Sequence, residues 1–390
     1  MSESTPSKSS KSEALSLAFL GDPNSAHLRR SVVGLSAMGH RVTLLVGDNK
    51  PIEPGLPAEI EIERFAPISA RGLYPPASFL RARWSVRRAV ARVQPDVVIA
   101  HFLTVNGWHA WLSGFHPYVV SLWGSDVFIA PKKWRVVGAL ARLSLRSADL
   151  VTANSESLLR AALELDAPAD RSQVVQFGVD IDEFTAGPDP AAIRARLGLQ
   201  GRRVVFSPRT IAPLYHPRVV VEALAQLPPD VVVLMSGFRA RPDELQAVEQ
   251  RAAALELTDR VTILPEIDQA EMADFYRLAD VVVSVPESDS TAAVLLEALA
   301  CEKPIVATDL ASVGEWLRDL DPTTMVPVDD ATATAAAILR VLTRSPEERA
   351  DLGSRSRKIV VERADQARTL AQVEALYRNL VPHAATSGSE

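Results

Sequence analysis

Residues 280–307, DVVVSVPESDSTAAVLLEALACEKPIVA, decide how the chain is read. An apolar run over 281–285 ends at Pro286. A polar loop follows, Glu287-Ser288-Asp289-Ser290-Thr291. An apolar helix is expected from Thr291, with one carboxylate, Glu297, inside it, and a second apolar strand at 304–307 closes the unit. The pattern predicts a βαβ crossover with a ligand-sized gap at its first turn. A carboxylate among Leu295, Leu296, Ala298 and Leu299 needs a partner, because a buried unpaired charge is costly.

The spacing suggests one partner. Asp289 and Glu297 are eight residues apart, roughly 12 Å along a helix, the span of a nucleotide-sugar from ribose to hexose. The helix N-terminus between them offers free N–H groups and a positive dipole end to a diphosphate. The alternative is local. Asp289 or Ser290 caps the helix, and Glu297 pairs with Lys303 or an arginine.

Working outward, the first half alternates strand and helix. Strands are expected at 15–20, 42–46, 97–100, 118–122, 150–152 and 174–175, with helices at 27–38, 76–93, 105–112, 134–147 and 155–165. The second half repeats this grammar, with strands at 204–206, 231–235, 261–264, 281–285 and 304–308. Its last three helices fall at 331–342, 346–361 and 364–380. Apolar strands without alternation mean strands buried on both faces, hence parallel sheets. Residues 177–190, FGVDIDEFTAGPDP, belong to neither half and read as a linker. The expected fold is α/β, two doubly wound Rossmann-like domains facing across a cleft, with ligands beyond the carboxyl ends of the strands.

Composition narrows the function. A chain of 390 residues fits two domains. A net charge of −6 argues against nucleic acid as a partner. The single cysteine, Cys301, allows neither an intrachain disulfide nor a cysteine zinc site, and suggests a reducing, cytoplasmic setting. No uncharged run reaches transmembrane length, so a membrane would be met only peripherally, at its inner face. Arg71, Arg81, Arg83, Arg87, Arg88 and Arg92 cluster with Phe79, Leu80 and Trp84. They read either as a segment meeting anionic lipid or as a solvated helix face. His109 and His116 read as structural, and Asn154 and Ser155 as caps of the following helix.

The order of motifs resembles the GT-B glycosyltransferases, specifically glycosyltransferase family 4, over residues 15–380. The matching pieces are Asp289, seven residues, Glu297, then Ala298-Leu299-Ala300-Cys301-Glu302-Lys303-Pro304-Ile305-Val306-Ala307. Others are Gly178-Val179-Asp180, the run 148–155 (ADLVTANS), and Ser207-Pro208-Arg209. The resemblance implies an acceptor domain at 14–180 and a donor domain at 181–363. A helix at 364–381 would pack back on the first domain, and 1–13 and 382–390 would be unstructured tails. It implies a retaining hexosyltransferase taking a nucleotide-diphospho-sugar as substrate, with no cofactor and no metal. The acceptor would be a glycan or lipid-linked hydroxyl in cell-envelope or polysaccharide assembly.

Residue by residue, the resemblance gives Glu297 the ribose and Asp289 the sugar hydroxyls. Thr291, Ala292 and Ala293 present N–H groups, and Arg209 neutralises the leaving diphosphate. Ile267 lies near the base, and Gly237 and Gly21 line the cleft. Trp123, Gly124, Asp126 and His101 face sugar and acceptor. There are departures. Ala292 replaces a common glycine. Leu214 and Tyr215 stand where a lysine is usual, with His216 and Arg218 nearby as substitutes. Trp123 stands where many members carry histidine. A sugar-nucleotide binder without transfer, or an epimerase or phosphorylase of the same fold, is the alternative.

Overall fold

The computed structural model describes residues 13–68 and 75–381. Arg71 and the greater part of the two expected tails lie outside the described residues.

The first sheet contains β1 (Ser16–Leu20), β2 (Arg41–Gly47), β3 (Glu61–Phe65), β4 (Val97–His101), β5 (Tyr118–Leu122), β6 (Leu150–Ala153) and β7 (Ser172–Val174). Its seven strands run in the order β3-β2-β1-β4-β5-β6-β7. The second contains β8 (Arg203–Ser207), β9 (Val231–Ser236), β10 (Val261–Leu264), β11 (Val281–Ser284), β12 (Ile305–Thr308) and β13 (Met325–Val326), ordered β10-β9-β8-β11-β12-β13. Every pairing is parallel. All five residues of β4 and all six of β9 are buried, as strands covered by helices on both faces must be.

The strand order fixes where a ligand can sit. In a doubly wound sheet the connections diverge where the order reverses, and a crevice opens at the carboxyl end of the strands. The reversal falls between β1 and β4 in the first sheet and between β8 and β11 in the second. Gly21 follows β1 and His101 ends β4; Arg209 follows β8 and Asp289 follows β11.

Strand β13 and the short helices Ser125–Phe128, Ala130–Lys133 and Ala191–Arg196 were not expected, and three further elements differ from expectation. Strand β3, EIERF, is an edge strand with only Phe65 buried, so it lacks the apolar run of the inner strands. The expected helix at 105–112 begins instead at Trp108, because Phe102 and Val105 hold φ of +84° and +69°, left-handed values unusual for a β-branched residue. The helix expected from Thr291 covers Ala293–Ala300. Half of the interval from Asp289 to Glu297 is therefore loop, and the spacing is not purely helical.

The linker is tied back to the far end of the chain. The Val179 amide donates to the Ala364 carbonyl at 2.8 Å, and the Gln366 amide to the Val179 carbonyl at 3.1 Å. A Cβ on Gly178 would lie 2.1 Å from the Gln366 Cα, so only glycine fits. The Gln366–Leu380 helix packs on the first domain, where Tyr377, Leu370 and Val373 join the core made by Leu28, Val32 and Leu35 of the Ala26–Ala37 helix.

Candidate active site

A cleft of about 800 Å³ opens between the two reversal points and is lined by both domains. On the first-domain side it carries Gly21, His27, Lys50, His101 and Trp123. The second domain contributes Arg209, Leu214, Tyr215, Asp289, Thr291, Ala292 and Ala293. Eight of the expected site residues therefore share one cleft: Gly21, His101, Trp123, Arg209, Asp289, Thr291, Ala292 and Ala293.

Local chemistry holds the loop after β11. The Asp289 carbonyl accepts from Ser312 Oγ at 3.0 Å, and Thr291 Oγ1 from Trp316 Nε1 at 3.3 Å. The Ala293–Ala300 helix starts on an alanine N-cap, Ala292, with no side-chain cap bond. Its first N–H groups have no intrahelical acceptor, so they and the dipole remain for an anion.

Asp289 and Arg209 form a charge contact at 2.8 Å, and Arg209 lies 4.0 Å above the Tyr215 ring. Burial pushes the Asp289 carboxyl up, and Arg209 and the Ser290 amide partly offset it. Glu297 does not line the cleft. Its Oε1 accepts from Arg30 Nη2 at 3.0 Å and its Oε2 from the buried Tyr276 hydroxyl at 2.8 Å. An arginine was one expected partner for this carboxylate, and it comes from the other domain, 267 residues away. No local signal announced Arg30. The only clue was its place on the helix following the Gly21 loop.

An aromatic wall closes the first-domain side. Trp123 stacks on Phe177 with centroids 5.6 Å apart and planes 13° apart. His27 lies 4.8 Å from each ring, and His101 lies 5.2 Å from Trp123. Both imidazoles are neutral at pH 7. Burial pushes His101 down to about 3; it does the same to His27, where Arg30, His101 and Arg209 add to it. Buried His101 Nδ1, Trp123 Nε1 and Asn154 Oδ1 have no hydrogen-bond partner, an arrangement that a hydroxyl-rich ligand would relieve.

Other expected residues are placed elsewhere. Asp126 lies fully buried beneath the cleft. Its carboxylate accepts from the backbone amides of Leu103 at 2.7 Å, Gly124 at 2.8 Å and Trp123 at 3.2 Å, so it staples the turn that carries Trp123. Gly237 donates its amide to Leu264 at 2.9 Å, and Ile267 packs against the second-domain core; neither lines the cleft. His216 is 3.3 Å from Asp329 and Arg218 is 3.6 Å from Glu244, so neither replaces the lysine absent at Leu214. Ser155 caps its helix as expected, but the Asn154 amide reaches across to the Thr291 carbonyl at 3.4 Å.

The domains meet at further points. Ser290 Oγ donates to the Trp123 carbonyl at 2.7 Å. Gly124 holds φ of +122°, and a Cβ there would lie 3.0 Å from Ser290 Oγ. The Glu315 carboxylate accepts the Glu156 and Ser157 amides at 3.0 and 2.9 Å, at a helix N-terminus. Arg239 pairs with Glu53 at 2.7 Å. Among the described residues no cluster of three or more His, Cys, Asp or Glu could hold a metal, and no helix is long and apolar enough to cross a membrane.

Comparison with known proteins bears on the family and the fold. The family described as Glycosyl transferases group 1 matches residues 190–359, and the family Glycosyl transferase 4-like matches residues 16–155. A D-inositol 3-phosphate glycosyltransferase of Mycobacterium sp. (strain JLS) is 36% identical over 206 residues, 51% of this chain and 46% of that protein. One from Kineococcus radiotolerans is 30% identical over 277 residues, 66% of this chain and 62% of that protein. The chain thus spans about half the length of most of the curated relatives it matches. Anabaena Alr3699/HepE in complex with UDP and glucose superposes with a TM-score of 0.79 at 21% identity, covering 94% of this chain and all of that one. Sucrose-phosphate synthase from Thermosynechococcus elongatus gives 0.78 at 21% identity, covering 93% and 98%. The fold is GT-B.

Proposed function

We propose, for a chain that belongs to the glycosyl transferases group 1 family, that it moves a hexose from a nucleotide-diphospho-sugar to a hydroxyl acceptor, with retention and with neither metal nor cofactor. The observation that carries this reading is the meeting of Arg209, Asp289 and the uncapped helix start at Ala292 on one side of the cleft. Breaking an anomeric C–O bond builds positive charge on the sugar and negative charge on the leaving diphosphate. Preorganised cations and helix dipoles at the diphosphate are then the main catalytic lever.

In this reading Arg209 and the amides of the first helical turn hold the diphosphate. Asp289 accepts from sugar hydroxyls and Glu297 from the ribose. Trp123 and neutral His101 face the sugar and the acceptor. A front-face displacement lets the leaving phosphate take the acceptor proton, so it needs no protein nucleophile. The relatives named for D-inositol 3-phosphate and the neighbour bound to UDP and glucose favour a uridine donor and a polyol, glycan or lipid-linked acceptor. Cell-envelope or polysaccharide assembly at the inner face of the membrane fits such chemistry.

Screening UDP-, GDP- and ADP-sugars for thermal stabilisation tests donor binding, since a ligand of the folded state raises its melting temperature. Donor hydrolysis and transfer assays then separate an enzyme from a binder. Protein that binds nucleotide-sugars yet releases no nucleotide with any acceptor would end the transferase reading.

A further inference from the structure

Two arginine–carboxylate pairs lie near the donor loop: Arg209 with Asp289 at 2.8 Å inside the cleft, and Arg30 with Glu297 at 3.0 Å outside its lining, with Arg30 on a smaller cavity that shares His27, His101 and Trp123 with the cleft. Resting on the donor reading above, we propose that Arg30 is the second cation of the diphosphate site, contributed by the first domain and held on Glu297 until the donor arrives. The exchange is electrostatic: no covalent bond changes. The ribose hydroxyls take Glu297, and the freed guanidinium turns to the phosphate oxygens of the same ligand.

Three observations carry it. First, the pair is largely withdrawn from water, with the Arg30 side chain 25% and the Glu297 side chain 9% exposed. A ligand taking Glu297 alone would strand a poorly hydrated cation. A diphosphate on the same ligand resolves this, because guanidinium pairs with phosphate as readily as with carboxylate. Second, Arg30 and Arg209 both act on His27, a cleft-lining residue one helical turn before Arg30. Both cations are therefore close enough to His27 to repel its protonated form, one from each domain. Third, the second domain supplies only one cation here. Leu214 lines the cleft, while His216 and Arg218 are engaged with Asp329 and Glu244. One guanidinium leaves a diphosphate partly uncompensated; Lys50 of the cleft lining is paired with Asp22, and Arg30 is the charge that a ligand taking Glu297 would release.

The test separates phosphate from nucleoside. UDP, GDP and ADP and the three parent nucleosides are titrated by calorimetry into wild type, Arg30→Gln, Arg30→Lys and Arg30→Gln/Leu214→Lys. For the base that wild type prefers, Arg30→Gln should bind the nucleoside within about threefold of wild type, because Glu297 becomes more available. It should bind the diphosphate about tenfold or more weakly, the loss expected for one charge-assisted contact. Leu214→Lys should recover much of that loss, and Arg30→Lys should retain most of the preference for diphosphate. Equal changes for nucleoside and diphosphate would reduce Arg30 to a structural tie and overturn the proposal. So would Arg30→Lys losing the wild-type preference for diphosphate over nucleoside; measured against wild type alone, that arm decides if Arg30→Gln does not fold. Wild type binding none of the diphosphates would overturn the donor reading itself, and this inference with it.

Discussion

Arg209 and Asp289 stand 2.8 Å apart at the reversal point of the second sheet, the guanidinium resting on Tyr215. Each side chain follows a different strand, so the pair forms only once β8 and β11 are neighbours. Arg209→Ala should lower kcat/KM by about 10²- to 10³-fold, the usual loss when one preorganised charge stabiliser is removed. Donor-induced thermal stabilisation should vanish, as it should in Glu297→Ala. Arg209→Lys should recover little, since a lysine neither stacks nor forks. Unchanged donor affinity in both alanine variants would refute the assignment.

Asp126 gives a pH signature. Burial raises its carboxyl from 3.8 to about 6, against the pull of four backbone amides, those of Leu103, Trp123, Gly124 and Asp126 itself. The folded state therefore holds a proton that the unfolded state has released. The stabilisation linked to that proton is complete below pH 4 and is lost as pH rises through about 6. Urea unfolding of wild type against Asp126→Asn should show the difference shifting against wild type by up to about 1.4 kcal/mol per pH unit in that window, then levelling off. A difference that is flat from pH 4 to 7 would mean the carboxylate is ionised throughout.

Gly124 sits where the domains touch. Gly124→Ala combines a φ of +122° with a Cβ 3.0 Å from Ser290 Oγ. It should cost about 1–3 kcal/mol and force the Trp123 turn away from the donor loop, lowering kcat more than nucleotide affinity. Ser290→Ala removes only the 2.7 Å bond to the Trp123 carbonyl and should cost about 1 kcal/mol. Chemical denaturation and steady-state kinetics on both variants check the order.

What the sequence disclosed follows from how local each signal is. The unit at 280–307 was legible because apolar strand, polar turn and apolar helix are contiguous. The Pro76–Val93 helix was legible in full because its buried stripe, Ala82, Val86, Ala89 and Val93, repeats at helical spacing. Strand β3 was hidden because an edge strand does not need an apolar run. The left-handed turn at Val105 leaves no mark in residue type. The Arg30–Glu297 pair joins helices of different domains, and no periodicity encodes that. The need for a partner at Glu297 was readable; its identity was not.

The basic helix can be tested directly. Leu80 and Trp84 are 72% and 62% exposed on the Pro76–Val93 helix, with Arg88 4.1 Å over the Trp84 ring. On the same side of the sheet, Trp134 is 53% exposed beside Lys133. If this face meets anionic lipid, the chain should co-sediment with phosphatidylglycerol-containing vesicles and not with phosphatidylcholine alone. Leu80→Glu/Trp84→Glu should abolish that binding while shifting stability by no more than about 0.5 kcal/mol, as expected for surface positions. Equal binding to both vesicle types, or none, would leave these arginines as a solvated face.

The double fastening at Val179 has a mechanical consequence. Outgoing and returning chains are bonded to each other at one residue, Val179, five residues beyond β7, the edge strand of the first sheet. A single strand would let one domain swing, twist and slide. Two strands bonded side by side act as a pin joint and leave mainly rotation about one axis. Displacement then grows with distance from Gly178, towards the opposite edge, where the loop after β2 carries Glu53 to Arg239. That pair is solvent-exposed on both sides and cheap to break. The lever is thus fixed at its fulcrum and loosely latched at its tip, so the rim bearing Glu53 is where the cleft opens most for a given rotation.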